Sequence, residues 1–139
     1  MEQTFIILKP DCMKAGLAGK VIERFEAAGF KIVAAKMARL NDAILRKHYA
    51  HLTGKPFFPV LAKFMKRSPV LMLVLERRNA VELAREMCGV TDSKKAKKGT
   101  IRADYGKDVQ SNVIHASDSV KTAKKEIRRF FKNSELVRY

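Results

Sequence analysis

"VLMLVLE", residues 70 to 76, decides the architecture, because it is apolar almost without interruption and too short for a buried helix. Such a run is a central strand buried on both faces, so it requires neighbouring strands and covering layers on either side. Upstream, QTFIILK (3–9) is a strand stopped by Pro10, and FKIVAAKMARL (30–40) alternates as another. Between them Leu17, Val21, Phe25 and Ala28 recur at helical spacing up to Gly29. Asn41 caps a helix with Ile44, Leu45 and His48 on one face, KPFFP (55–59) breaks it, and a short helix runs from Val60 to about Lys66.

Downstream, Asn79 with Glu82 has capping-box spacing, and Ala80, Leu83, Ala84 and Met87 line a helix ended by Gly89. Residues 90 to 110 have no convincing periodicity, which marks either a functional loop or a wrong assignment of that segment. NVIHA (112–116) is a short strand, and Ser117 or Ser119 caps a last helix that turns Val120, Ala123, Ile127, Phe130 and Phe131 inward. This alternation predicts an α+β fold, a ferredoxin-like split βαβ unit with a four-stranded antiparallel sheet covered by helices, as one domain over 1–139. A Rossmann-like parallel sheet is the alternative. No G-x-G-x-x-G follows the first strand, and GLAGK (16–20) is too short for a phosphate loop.

The chain of 139 residues is 47% hydrophobic, enough for a real core, and its longest clean apolar run is far short of a membrane span. A soluble cytoplasmic protein without membrane contact is expected. Cys12 and Cys88 form neither a disulfide framework nor a zinc motif. The formal charge of +15 is spread along the chain and attracts polyanions, whether nucleotide phosphates, nucleic acid or an anionic membrane, and charge alone does not choose among them.

Four segments narrow the choice: IILKPD (6–11), KPFF (55–58), GTIRADY (99–105) and NVIHASDS (112–119). In this order and spacing they resemble the nucleoside diphosphate kinase family, from about Thr4 to Phe131. The resemblance implies transfer of the γ-phosphate of ATP or another nucleoside triphosphate to a nucleoside diphosphate by a ping-pong route through phosphohistidine. His115 matches the nucleophile and Glu126 the carboxylate that orients it. Imidazole suits the task, since it is largely neutral near pH 7 and nucleophilic without an added base. Lys9, Arg85 and Arg102 match the phosphate-binding cations, Thr91 a hydroxyl donor, and Tyr49 a support for the γ-phosphate region. Phe57 matches the residue stacking on the base and Val109 the one closing its other face, which implies broad base use. Asn112 with Lys9 matches the ribose contacts, and Ser117 is the hydroxyl beside the nucleophile.

The resemblance further implies Mg²⁺ held by nucleotide phosphates and water with no direct protein ligand, and a homo-oligomer, hexamer or tetramer. Salt-sensitive, non-specific nucleic-acid binding is a secondary expectation from the charge. Ala116 and Ser93 stand where the family commonly has glycine and proline, and Ser68 and Arg77 replace common glycines. If residue 116 needed a positive φ, its methyl would cost roughly 1 kcal/mol.

Overall fold

A computed structural model describes residues 1–139. Four strands, β1 (Glu2–Leu8), β2 (Lys31–Ala38), β3 (Val70–Arg77) and β4 (Ile114–Ala116), form one sheet in the order β2-β3-β1-β4. Every pairing is antiparallel, which excludes the Rossmann alternative. VLMLVLE occupies β3, between β2 and β1, as its uninterrupted apolar pattern requires.

The helices are α1 (Pro10–Lys14), α2 (Ala18–Ala27), α3 (Asp42–His48), α4 (Phe58–Lys66), α5 (Ala80–Cys88), α6 (Ile101–Tyr105) and α7 (Val120–Phe130). Period-two alternation divides β1 between two cores. Phe5 and Ile7 pack with Leu45, Phe64, Met65 and Ile127 from α3, α4 and α7, whereas Ile6 and Leu8 pack with Val21, Phe25, Ala84 and Ile101 from α2, α5 and α6. Helices therefore cover both faces. An RNA-recognition surface on this kind of sheet needs an open face, so the fold offers nucleic acid no such platform.

Several local expectations change. Pro10 opens α1 rather than only stopping β1, because proline at a first helical position forfeits no intrahelical bond. The capping box at Asn79 does not form. Asn79 takes φ 54° in the tight turn after β3, and Glu2 Oε1 accepts from the Val81 N–H at 2.9 Å in its place. Residues 90–110 are not structureless, since they contain α6 and a 3₁₀ turn at Ser93–Lys95. With only five residues and Ile101 alone buried, α6 is too short to display periodicity. Ser119, not Ser117, caps α7 by accepting from Thr122 N–H. Val120 is 43% exposed, because the first turn of α7 precedes its contact with the sheet.

The departures from the family also find their place. The left-handed non-glycine residues are Asn79 and Val113, so Ala116 in β4 pays no conformational penalty for its methyl. Arg77 donates to the Ala28 carbonyl at the end of α2 at 2.6 Å and lies over the Phe30 ring. Ser93 is buried, its N–H reaching Asp108 O at 3.3 Å, while its hydroxyl has no partner.

Candidate functional site

β4 is an edge strand three residues long, and the segment entering it is under tension. Val113 adopts φ 64° in a γ-turn closed by the Ile114 N–H to the Asn112 carbonyl at 2.8 Å. A β-branched residue pays about 1–3 kcal/mol there. Two contacts from the β1–α1 junction hold it: Asp11 Oδ2 accepts from Val113 N–H at 3.0 Å, and Lys9 N–H donates to Val113 O at 2.9 Å. Two residues further on lies His115, paired with Ile7 of β1.

His115 Nε2 lies 2.9 Å from Glu126 Oε2 on α7. Ser117 Oγ donates to the other carboxylate oxygen, Oε1, at 2.6 Å, and accepts from Phe5 N–H. Burial works against the Glu126 charge, yet the bond from His115 and the Ser117 hydroxyl hold its carboxyl below the ordinary value. Glu126 is thus an ionised acceptor, His115 Nε2 is the donor, and the lone pair resides on Nδ1. Ser117 itself is fully buried behind the imidazole.

Cations surround this pair. Lys9 Nζ donates to Asn112 Oδ1 and to Gln110 O, both at 2.7 Å. Burial, opposed by Asp11 and reinforced by Arg102, brings the Lys9 ammonium down to about 8. Arg102 is anchored by two carbonyls, Gly89 O at 2.8 Å and Ile114 O at 2.7 Å. Its Nε is buried without a partner, and burial lowers the guanidinium from its usual value. Arg85 donates to Asp118 O at 3.1 Å. Asn112 Nδ2 bonds Thr91 O and Val109 O, so one amide ties the Thr91 segment to the γ-turn.

An open cleft of about 2040 Å³ is lined by Lys9, Arg85, Arg102, Asn112, His115 and Glu126, and by Tyr49, Phe57, Thr91 and Val109, while Ser117 lies buried behind it. Phe57 is 51% exposed and Val109 60%, leaving two apolar side chains bare at the cleft. The structure therefore brings every expected site residue together. Sequence reasoning missed His48 and Arg129. His48 read only as part of a helix face, but its ring meets that of His115 edge-on at 4.7 Å. Nothing in the sequence sets Arg129 apart from the other basic residues of the last helix, yet it lines the cleft and reaches His48 Nδ1 at 3.1 Å. Asp11 and the γ-turn also carried no readable signal, since their partners are a hundred residues away.

Ligating atoms of His48, His115 and Glu126 come within 4.8 Å of one another. Two imidazoles and one carboxylate do not fit Mg²⁺, which prefers oxygen donors, and the Arg129 guanidinium already engages His48 Nδ1. No helix is long and apolar enough to cross a membrane.

Cations gathered in one cleft with an imidazole make a site suited to an anionic, phosphate-bearing substrate. A model of the family "Nucleoside diphosphate kinase" matches residues 2–136, and the chain belongs to that family. The nucleoside diphosphate kinase of Pelotomaculum thermopropionicum is 50% identical over 139 residues, covering 100% of this chain and 93% of that protein. Human nucleoside diphosphate kinase B is 48% identical, covering 100% and 91%. Among solved structures, a halophilic nucleoside diphosphate kinase from Halobacterium salinarum in complex with CDP superposes with a TM-score of 0.97 at 39% identity, covering 99% of this chain and 92% of that one.

Proposed function

We propose that the chain, acting as one catalytic domain, moves the γ-phosphate of a nucleoside triphosphate to a nucleoside diphosphate through phosphohistidine on His115. The observation that carries this reading is the His115–Glu126 bond at 2.9 Å, which commits Nε2 as donor and leaves the Nδ1 lone pair for attack. Nδ1 forms a bond to the γ-phosphorus, the bond from phosphorus to the β,γ-bridging oxygen breaks, and its electron pair departs with the nucleoside diphosphate. A second nucleoside diphosphate reverses the step, its terminal β-phosphate oxygen attacking the phosphorus while the electron pair of the P–N bond returns to Nδ1. No net proton is released.

A loose phosphoryl transition state is stabilised mainly by position and charge. Lys9, Arg85 and Arg102 supply the charge, and the two carbonyl anchors of Arg102 hold its fork before substrate arrives. Thr91 and Tyr49 donate hydroxyl bonds to the phosphates, Asn112 with Lys9 takes the ribose, and Ser117 steadies Glu126. Phe57 and Val109 grip the base by its faces, so purines and pyrimidines are both accepted; the CDP bound to the halophilic relative supports the pyrimidine half. When bound, Mg²⁺ would be held by the nucleotide phosphates and water rather than by this chain's side chains, and would neutralise phosphate charge. The reading includes a cytoplasmic homo-oligomer, whose size light scattering would measure.

Incubation with γ-³²P-ATP and Mg²⁺ tests it. Wild type should acquire label that is stable to alkali and lost in mild acid, and a chase with GDP should carry that label into GTP. His115→Ala should remain unlabelled. Label of equal amount on His115→Ala, or label that GDP cannot remove, would overturn the reading.

A further inference from the structure

Glu126 has two oxygens and three suitors. Ser117 holds Oε1 at 2.6 Å, so Oε2 alone remains for imidazole. His115 Nε2 reaches it at 2.9 Å, but His48 Nδ1 stands only 3.6 Å from the same atom. A proton on His48 Nδ1 would create a second donor aimed at Oε2, and a shift of a few tenths of an ångström would complete that bond at the expense of His115.

Arg129, one turn beyond Glu126 on α7, closes this possibility. Its Nη1 lies 3.1 Å from His48 Nδ1. Guanidinium only donates, so Nδ1 must accept and the ring proton must sit on Nε2. That Nε2 is buried and has no hydrogen-bond partner. Left to itself, His48 would place its proton where a carboxylate can receive it, so the orphaned Nε2–H is evidence that an outside group dictates the tautomer. The groups facing His48 are Tyr49 and His51 from its own end of the fold, His115 from β4, and Glu126 and Arg129 from α7; Phe5 and Phe130 close the remaining space with apolar rings. Of these, Arg129 is the one hydrogen-bonded to Nδ1.

We propose that Arg129 is a positioning residue: by donating to His48 Nδ1 it fixes the neutral, Nε2-protonated tautomer of His48 and so reserves Glu126 Oε2 for His115. The role goes beyond the phosphohistidine reading and rests on it for its catalytic meaning. Burial, with the neighbouring His115 and Arg129, also keeps His48 uncharged, with Glu126 opposing, which prevents the doubly protonated ring from competing in the same way.

The test is favoured by composition, since the chain has three histidines and their six ring nitrogens can be resolved in a long-range ¹H–¹⁵N spectrum. Wild type should show His48 protonated on Nε2. In Arg129→Met, which keeps the aliphatic stem, protonation should move toward Nδ1, and kcat should fall about tenfold with KM changed less than about twofold. Arg129→Lys retains a donor-only cation and should restore the wild-type tautomer. Lys125→Met removes a cation lining the same cleft without touching His48, and should leave the tautomer as it was. An unchanged His48 tautomer in Arg129→Met would overturn the proposal, as would a raised KM with kcat intact, which would make Arg129 a nucleotide contact. If wild type carried no phosphohistidine the reading of the reaction would fail, but the tautomer experiment would still decide what Arg129 does to His48.

Discussion

Ser117 and Glu126 are joined by a 2.6 Å hydrogen bond in the interior, nine residues apart, behind the ring of His115. The hydroxyl occupies one carboxylate oxygen and turns the other toward the imidazole, so Ser117 acts on His115 without touching it. Ser117→Ala leaves a buried carboxylate short of a partner. A loss of about 1–3 kcal/mol in unfolding free energy is expected from urea melts, together with reduced turnover and an unchanged Kd for ADP. Glu126→Gln, which keeps the volume but not the charge, should lower kcat by roughly 10- to 100-fold with ADP affinity retained. Weakened ADP binding in either variant would place the pair in the binding site instead.

If Lys9 takes the phosphates as proposed, nucleotide affinity should depend on pH. Its ammonium has fallen to about 8, mainly through burial, and a bound phosphate restores the charged form. Below that value Lys9 is already protonated and affinity should be flat. Above it each binding event must first recover a proton, so ADP affinity should weaken by up to about tenfold per pH unit. Calorimetry from pH 7 to 9.5 on wild type and Lys9→Met checks this. The variant should bind more weakly at pH 7 and show no such bend; a bend retained without Lys9 would assign it to another group.

His48 makes the fold acid-sensitive. Its folded-state value of about 3 lies below the ordinary 6.5, chiefly through burial, with His115 adding to the shift and Glu126 opposing it. Between these values the unfolded chain takes up a proton that the folded chain refuses. Stability is therefore complete above about 6.5 and is lost as pH falls toward 3, by about 2 kcal/mol between pH 7 and pH 5. The lowered Glu126 carboxyl adds stability that is fully present above its ordinary value of 4.5 and is lost only as pH falls below it. The slope in urea melts between pH 6.5 and 5 should flatten in His48→Asn, and an identical slope in both proteins would remove His48 as its source.

Ser93 is a place where the chain is less stable than it could be. It opens a 3₁₀ turn, where proline fits, and its buried hydroxyl is unpartnered. Ser93→Pro gives up one long bond to Asp108 O at 3.3 Å while removing that hydroxyl and stiffening the unfolded chain. A gain of up to about 1 kcal/mol is expected, read as a higher thermal midpoint. A fall in midpoint would mean that the Asp108 bond outweighs both.

Much of the molecule was legible in its order of residues. The apolar run at 70–76, the alternating run at 30–40 and the heptad-like spacing of α2 and α5 settled strands and helices, because burial on one face or two writes a period into the chain. The motif around His115 singled out residues that the fold then gathered in one cleft. What stayed hidden was whatever depends on partners far away in sequence. Glu2 caps α5 across 79 positions, and Asp11 braces the Val113 turn across 102. Periodicity cannot report such contacts, since a single carboxylate leaves the same trace whether it faces solvent or a backbone amide. The same limit separates Arg129 from the other basic residues of α7. Only the packing of α7 on β1 places that one guanidinium beside His48, where a donor without an acceptor can decide which nitrogen of a buried ring carries its proton.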